Sequence, residues 1–231
     1  MNGRRRLGLA ALALPIVAGL VWLGIWQVHR LAWKRALIAQ VAHKLASAPV
    51  DAPGADRWPA LSSADSYTRL VVRGRYIPAV PTFVQAATTL GPGYWVLSPL
   101  RSDRGFTLLI NRGFVPQGDK ARPIPTPAGE VAVTGLLRLN EPKGGFLRAN
   151  DPADDRWYSR DVNAIAAKRG IGPVAPYFVD ADAQASPGWP RGGLTVIRFP
   201  NNHLQYALTW FAMAALLAGA VGWMALRPSK D

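Results

Sequence analysis

The chain has 231 residues, a net charge of +13, three histidines and no cysteine. The missing cysteine excludes disulfides, CxxCH attachment of haem c, a thiolate copper carrier and a cysteine nucleophile. The arginines are interspersed with proline and aspartate rather than clustered with aromatics, which speaks against nucleic acid and leaves anionic headgroups, an acidic partner or a carboxylate ligand.

Residues 1–6 form a basic tail with Arg4, Arg5 and Arg6. Leu7 to Val28 then runs without a charged side chain, long enough for a helix to cross a bilayer's hydrocarbon core. Trp22, Trp26 and Gln27 make a poor approach to a signal-cleavage site, so 7–28 reads as a retained anchor. In 30–46, Leu37, Ile38, Val41 and Leu45 fall on one helical face, which predicts that the helix continues. Residues 47–66, with Pro49, Pro53, Gly54 and Pro59, read as a linker.

From there the pattern has a period of two. Strands are predicted over 69–76, 82–87, 94–100, 106–111, 130–139, 177–179 and 194–199. Gly91-Pro92-Gly93 and Ser102-Asp103-Arg104-Gly105 are expected as turns, the latter closing a hairpin, and 118–129 as a proline-rich loop. Asp161 is a good N-cap for a short helix through Arg169, which Gly170 would end. Leu204 to Leu226 is a second uncharged run, which sets a second span at 203–226 and a short basic tail at 227–231.

These elements predict two transmembrane α-helices, N- and C-terminal. They flank an extracytoplasmic α+β domain, residues 29–202, whose sheet is mainly antiparallel and rolled or barrel-like. Basic residues outside both spans favour cytoplasmic termini. The intervening domain, with 22 basic against 13 acidic side chains between His29 and His203, is then periplasmic. No room precedes Leu7 for a mitochondrial transit peptide, so a bacterial inner membrane is the expected address.

The first span ends and the second begins at one face of the membrane. Trp22, Trp26, His29 or Arg30, and Trp33 share a helical face, as do His203, Tyr206, Ala207 and Trp210. Aromatics gather at membrane boundaries in any case, so His29 and His203 also read as ordinary headgroup-level residues. The Asn201-Asn202-His203 run at the head of a span favours a site instead. A neutral imidazole between planar rings suits an axial haem ligand, with Arg30 and Arg198 as partners for the propionates. Ala214, Ala218 and Gly222, four apart, suit close approach of another helix.

Enzyme readings find little support. His43 is the only other histidine, so a Ser-His-Asp arrangement in the central domain lacks its base. Lys143-Gly144-Gly145 and Arg191-Gly192-Gly193 are isolated turns rather than phosphate loops. Asp151, Asp154 and Asp155 read as a solvated acidic turn, since Pro152 and the missing Glu spoil a calcium loop.

Several segments resemble a known family. Gly24-Ile25-Trp26-Gln27-Val28-His29-Arg30, followed by Trp33-Lys34, is similar to the GxWQxxR…K signature of the Surfeit locus one family, the cytochrome c oxidase assembly factors. Gly74-Arg75-Tyr76, Gly93-Tyr94 through Pro99-Leu100 and Asn111-Arg112-Gly113-Phe114-Val115-Pro116 resemble its later elements, with Phe114 where the family usually shows Trp. So do Trp157 to Asp161, Pro176 to Val179, and above all Asn201 to Phe211, which resembles NHLxYAxTWF.

The resemblance implies an assembly factor, not an enzyme, that helps haem a enter subunit I of an aa3-type haem–copper oxidase. It implies transient haem a binding, with His203 as iron ligand and Trp26 nearby. On that reading Trp26, Tyr206 and Trp210 wall the site, with Gln27 and His29 beside it and His29 a conceivable second ligand. Arg30 and Arg198 steady the propionates. Subunit I, haem a synthase and the lipid bilayer are the expected partners. A scaffold that clamps an oxidase intermediate without holding haem is the alternative.

Overall fold

The computed structural model describes residues 3–145, 148–184, 188–195, 197 and 199–226, with the side chains of all of these but residues 3–7 and 225. The chain divides into two compact units, Met1–Ala42 with Arg198–Asp231, and His43–Ile197.

The first unit is a pair of helices. Helix α1, Gly3–Ala46, is unbroken, with Pro15 inside it, and so includes the predicted extension. The other helix of the pair, α3, spans His203–Leu226. Gly8–Ala46 and His203–Met224 are long and apolar enough to cross a membrane. Ala13, Gly24 and Leu31 of α1 and Ala207 and Ala214 of α3 are buried, whereas Leu12, Leu14, Trp22, Leu208 and Leu216 are exposed. Burial recurring at spacings of seven and eleven residues marks one narrow seam along each helix.

The second unit is a mixed sheet with one helix. Its strands are β1 (Val50–Asp51), β2 (Arg69–Tyr76), β3 (Thr82–Thr88), β4 (Gly91–Ser102), β5 (Thr107–Pro116), β6 (Val131–Leu139) and β7 (Tyr177–Ala181). They lie in the order β1-β2-β6-β7-β5-β4-β3. Most pairings are antiparallel, but β1 with β2 and β5 with β7 are parallel. The C-terminal end of β2 also pairs with β4, so the pairings of β2, β6, β7, β5 and β4 return to β2.

Alternation assigns the faces. Leu70, Val72, Leu100, Leu108, Ile110, Tyr177 and Val179 pack on one side of the sheet. Leu97, Leu109 and Phe178 pack on the other with Trp157 and with Val162 and Ile165 of helix α2, Val162–Arg169. Because β5 is covered on both faces, it is a continuous buried run from Thr107 to Val115. Asp161 caps α2 by accepting from the Ala164 amide at 3.2 Å, and Gly170 ends it at φ 62°, a cap worth about 1 kcal/mol.

Three expectations need correction. The 47–66 stretch is part of the folded unit: it carries β1 and two 3-10 turns, and Ala52, Trp58 and Leu61 pack on the first core. The first hairpin turns at Thr89-Leu90, between paired Thr88 and Gly91. Gly93 is a strand residue because β5 lies directly on it; a Cβ there would sit 2.2 Å from the Val115 carbonyl oxygen. Among the described residues of 194–199 there is no strand, and Val196 and Arg198 lie outside the described set.

Phe114, the departure from the family pattern, is fully buried and meets Trp95 and Trp189 edge-on at 5.9 and 6.2 Å. The acidic turn is neutralised by arginine: Arg156 pairs with Asp151 and Asp154, and Arg169 with Asp155.

One buried carboxylate organises the sheet. Asp180 accepts from Asn111 at 2.7 Å, Thr195 at 3.0 Å, Arg138 at 3.1 Å and Arg160 at 3.2 Å. Glu141 holds the other sides of both arginines. Burial alone would lower the Arg160 pKa, but the charges of Asp180 and Glu141 outweigh it and raise the value.

Candidate functional site

The site lies within the helix pair and starts from a glycine. Gly24, Gln27 and Leu31 are three and four residues apart, so they share one face of α1. At Gly24 the ring of Phe211 lies on the backbone; a Cβ would sit 2.5 Å from it. That approach places Gln27 beside the first residue of α3, and Gln27 Oε1 lies 2.7 Å from His203 Nδ1. Since 24 meets 211 and 27 meets 203, the helices run antiparallel.

The chemistry of this contact follows from the groups. An amide oxygen only accepts, so Nδ1 of His203 donates the hydrogen. In the neutral ring Nε2 then carries the lone pair, the state in which imidazole binds a metal. Two residues earlier, Asn201 Oδ1 is buried without a hydrogen-bond partner.

The other predicted residues fall into different places. Trp210 is half-buried along the α3 seam, next to buried Ala207. Trp26 and Tyr206 are about half exposed, each about 100° round its helix from its neighbour on the seam. Trp22 and Trp33 are exposed as well. The aromatic face expected to close on His203 is therefore turned aside, and Gly24 under Phe211 and Gln27 beside His203 form the contact instead; of the small residues four apart on α3, Ala214 is buried but Ala218 is exposed. His29 is exposed and lies roughly opposite Gln27 on α1. Arg30 stacks its guanidinium over Trp33 at 4.0 Å. Arg198 lies outside the described residues.

Two contributors were not singled out from the sequence. Lys34 Nζ lies 5.4 Å from the ring centre of Phe199, adding a cation near the head of α3. Its signal was the Trp33-Lys34 pair already quoted. Phe211 was legible only as part of a motif, because its role depends on the absent side chain of Gly24 on the other helix.

Residues 14–215 match the family model described as the SURF1 family. The chain belongs to the SURF1 family. Surfeit locus protein 1 of Rattus norvegicus is 34% identical over 213 residues, covering 84% of this chain and 68% of the rat protein. The Homo sapiens protein of the same name is 33% identical over 225 residues, covering 88% and 72%. A SURF1-like protein of Monosiga brevicollis is 34% identical over 236 residues, covering 94% and 86%. The family match begins inside α1 and ends inside α3, so both members of the Gln27–His203 pair fall within the part that defines SURF1.

Proposed function

We propose that this chain is an assembly factor for aa3-type cytochrome c oxidase that binds haem a through His203 and passes it to subunit I. The family resemblance carries oxidase assembly; the Gln27–His203 hydrogen bond is the observation that carries haem binding. It supports an Nδ1 that carries the hydrogen, so that the uncharged form of the ring would offer Nε2 to iron. The residues nearby fit the rest of the ligand. Arg30 and Lys34 offer cations for propionates, Asn201 Oδ1 offers an unused acceptor, and the apolar outer faces of α1 and α3 suit a farnesyl chain in lipid.

On this reading both helices cross the bacterial inner membrane with their termini in the cytoplasm. The sheet domain, barrel-like in its circuit of pairings, lies in the periplasm and docks its basic surface on acidic loops of subunit I or of haem a synthase. The chain supplies a ligand, apolar walls and counter-charges; no covalent chemistry is required of it.

The test is the visible spectrum of the full chain purified from cells that make haem a, beside His203→Ala. A Soret band in the wild type that is lost in the variant is the expected result. A colourless wild type would replace carriage by the scaffold reading, and chemically altered haem in the eluate would point to an enzyme.

A further inference from the structure

We infer that Gln27 is a positioning residue that sets the donor strength of His203, confining the metal-binding lone pair to Nε2 while keeping the imidazole a weak donor. This rests on the haem reading above and concerns how firmly the ligand is held.

The argument begins with the choice of acceptor. A histidine that binds a metal through one nitrogen usually donates from the other, and the acceptor tunes the bond. A carboxylate draws the Nδ1 proton toward itself and makes the ring a stronger base. An absent acceptor leaves two tautomers, one of which carries its hydrogen on Nε2 and cannot bind iron. A neutral amide fixes the tautomer without adding negative charge.

The helix unit offers little else. From Met1 to Val50 and from Ala183 to Lys230 the sequence contains no Asp or Glu. A carboxylate at an apolar helix–helix seam would also carry a large desolvation cost. The 2.7 Å contact is short, and its acceptor is held on α1 by the packing of Gly24 on Phe211. Gln27 thus gives the imidazole direction while withholding charge, which suits a cofactor that must leave again.

The test uses the full chain in lipid nanodiscs. In haem-free protein, the 15N signals of His203, assigned by their loss in His203→Ala, should show a protonated Nδ1 and a bare Nε2. Gln27→Leu should give mixed tautomers and weaken haem binding about 10–100-fold, the range for loss of such a partner. Gln27→Glu should act in the opposite sense, slowing haem release about tenfold or more and raising the iron–histidine stretching frequency. A wild type protonated at Nε2 overturns the inference. So does a Gln27→Leu protein with unchanged tautomer, Soret band and release rate, and then the haem reading stands. A colourless wild type removes both.

Discussion

In the sheet domain a buried carboxylate, Asp180, is held by four donors, two of them arginines that Glu141 grips from the other side. In the helix pair a single imidazole is held by a single neutral amide. The first arrangement is charged and redundant, so that loss of any one donor leaves three. The second has no redundancy and no charge. The contrast separates a polar network whose role is to fix a fold from a polar contact whose role is to be ready for something else. Buried networks of the first kind are costly to break because a desolvated charge is left behind.

The largest expected effect follows from breaking that network. Asp180→Ala takes the acceptor from Asn111 and Thr195 and leaves Arg138 and Arg160, whose side chains are 19% and 12% exposed, to Glu141, and should destabilise the sheet domain by about 3 kcal/mol. Hydrogen exchange at Tyr177–Ala181 during urea titration measures it. The haem spectrum should survive under conditions where the domain is still folded; its loss there would erase the contrast.

Next comes the helix pair itself. Gly24→Val pushes a side chain into the Phe211 ring, and overpacking of this kind costs about 1–3 kcal/mol. The chain has no cysteine, so spin labels at Ile16→Cys and Leu216→Cys, both exposed positions, report the helix separation. It should widen, and the Soret band should weaken with it.

A smaller effect of opposite sign sharpens the picture within the sheet domain. Arg112 is 6% exposed; its Nη2 donates to the Pro125 carbonyl at 2.8 Å and its guanidinium lies 5.6 Å from the Tyr76 ring centre, but Nε and Nη1 have no hydrogen-bond partner. Burial lowers its pKa, against the opposing influence of Tyr76. Arg112→Met should therefore stabilise the domain, by about 1 kcal/mol, in the same urea titration.

The smallest effect is a pH dependence. Burial raises the Asp155 pKa, but hydrogen bonds from Arg169 and Trp157 and the Arg169 charge bring it below the ordinary value. A depressed carboxylate contributes stability that is complete above its unfolded value, about 4, and is lost as pH falls through the folded one. The side chain is 41% exposed, so the loss should stay under about 1 kcal/mol. Asp155→Asn should flatten the stability profile below about pH 4.

Local pattern explains what could be foreseen. Strand β2 alternates buried and open positions from Leu70 to Tyr76 as its sequence does, and α2 begins and ends at the residues whose chemistry caps helices. What escaped depended on partners distant in the chain. Gly93 looks like a turn residue until β5 lies across it. Val50–Asp51 is an edge strand only because β2 is there to receive it. The same holds in the site: His203 and Gln27 were both visible as polar groups at the ends of the two apolar runs. Which face of α1 would meet α3, however, was decided by Gly24 rather than by the conspicuous tryptophans.

The position of β7 carries a last consequence. It lies between β6 and β5, yet among the described residues it is the last strand to leave the ribosome. Until Ala181 is out, the edges at Leu109–Asn111 and Gly135–Leu139 remain unpaired on a nascent chain, a situation that favours off-pathway association. Closure of the domain must therefore wait for nearly the whole polypeptide, and α3 follows only a short stretch later. A translation pause after that strand would favour correct maturation, and one before it would expose the chain to proteolysis.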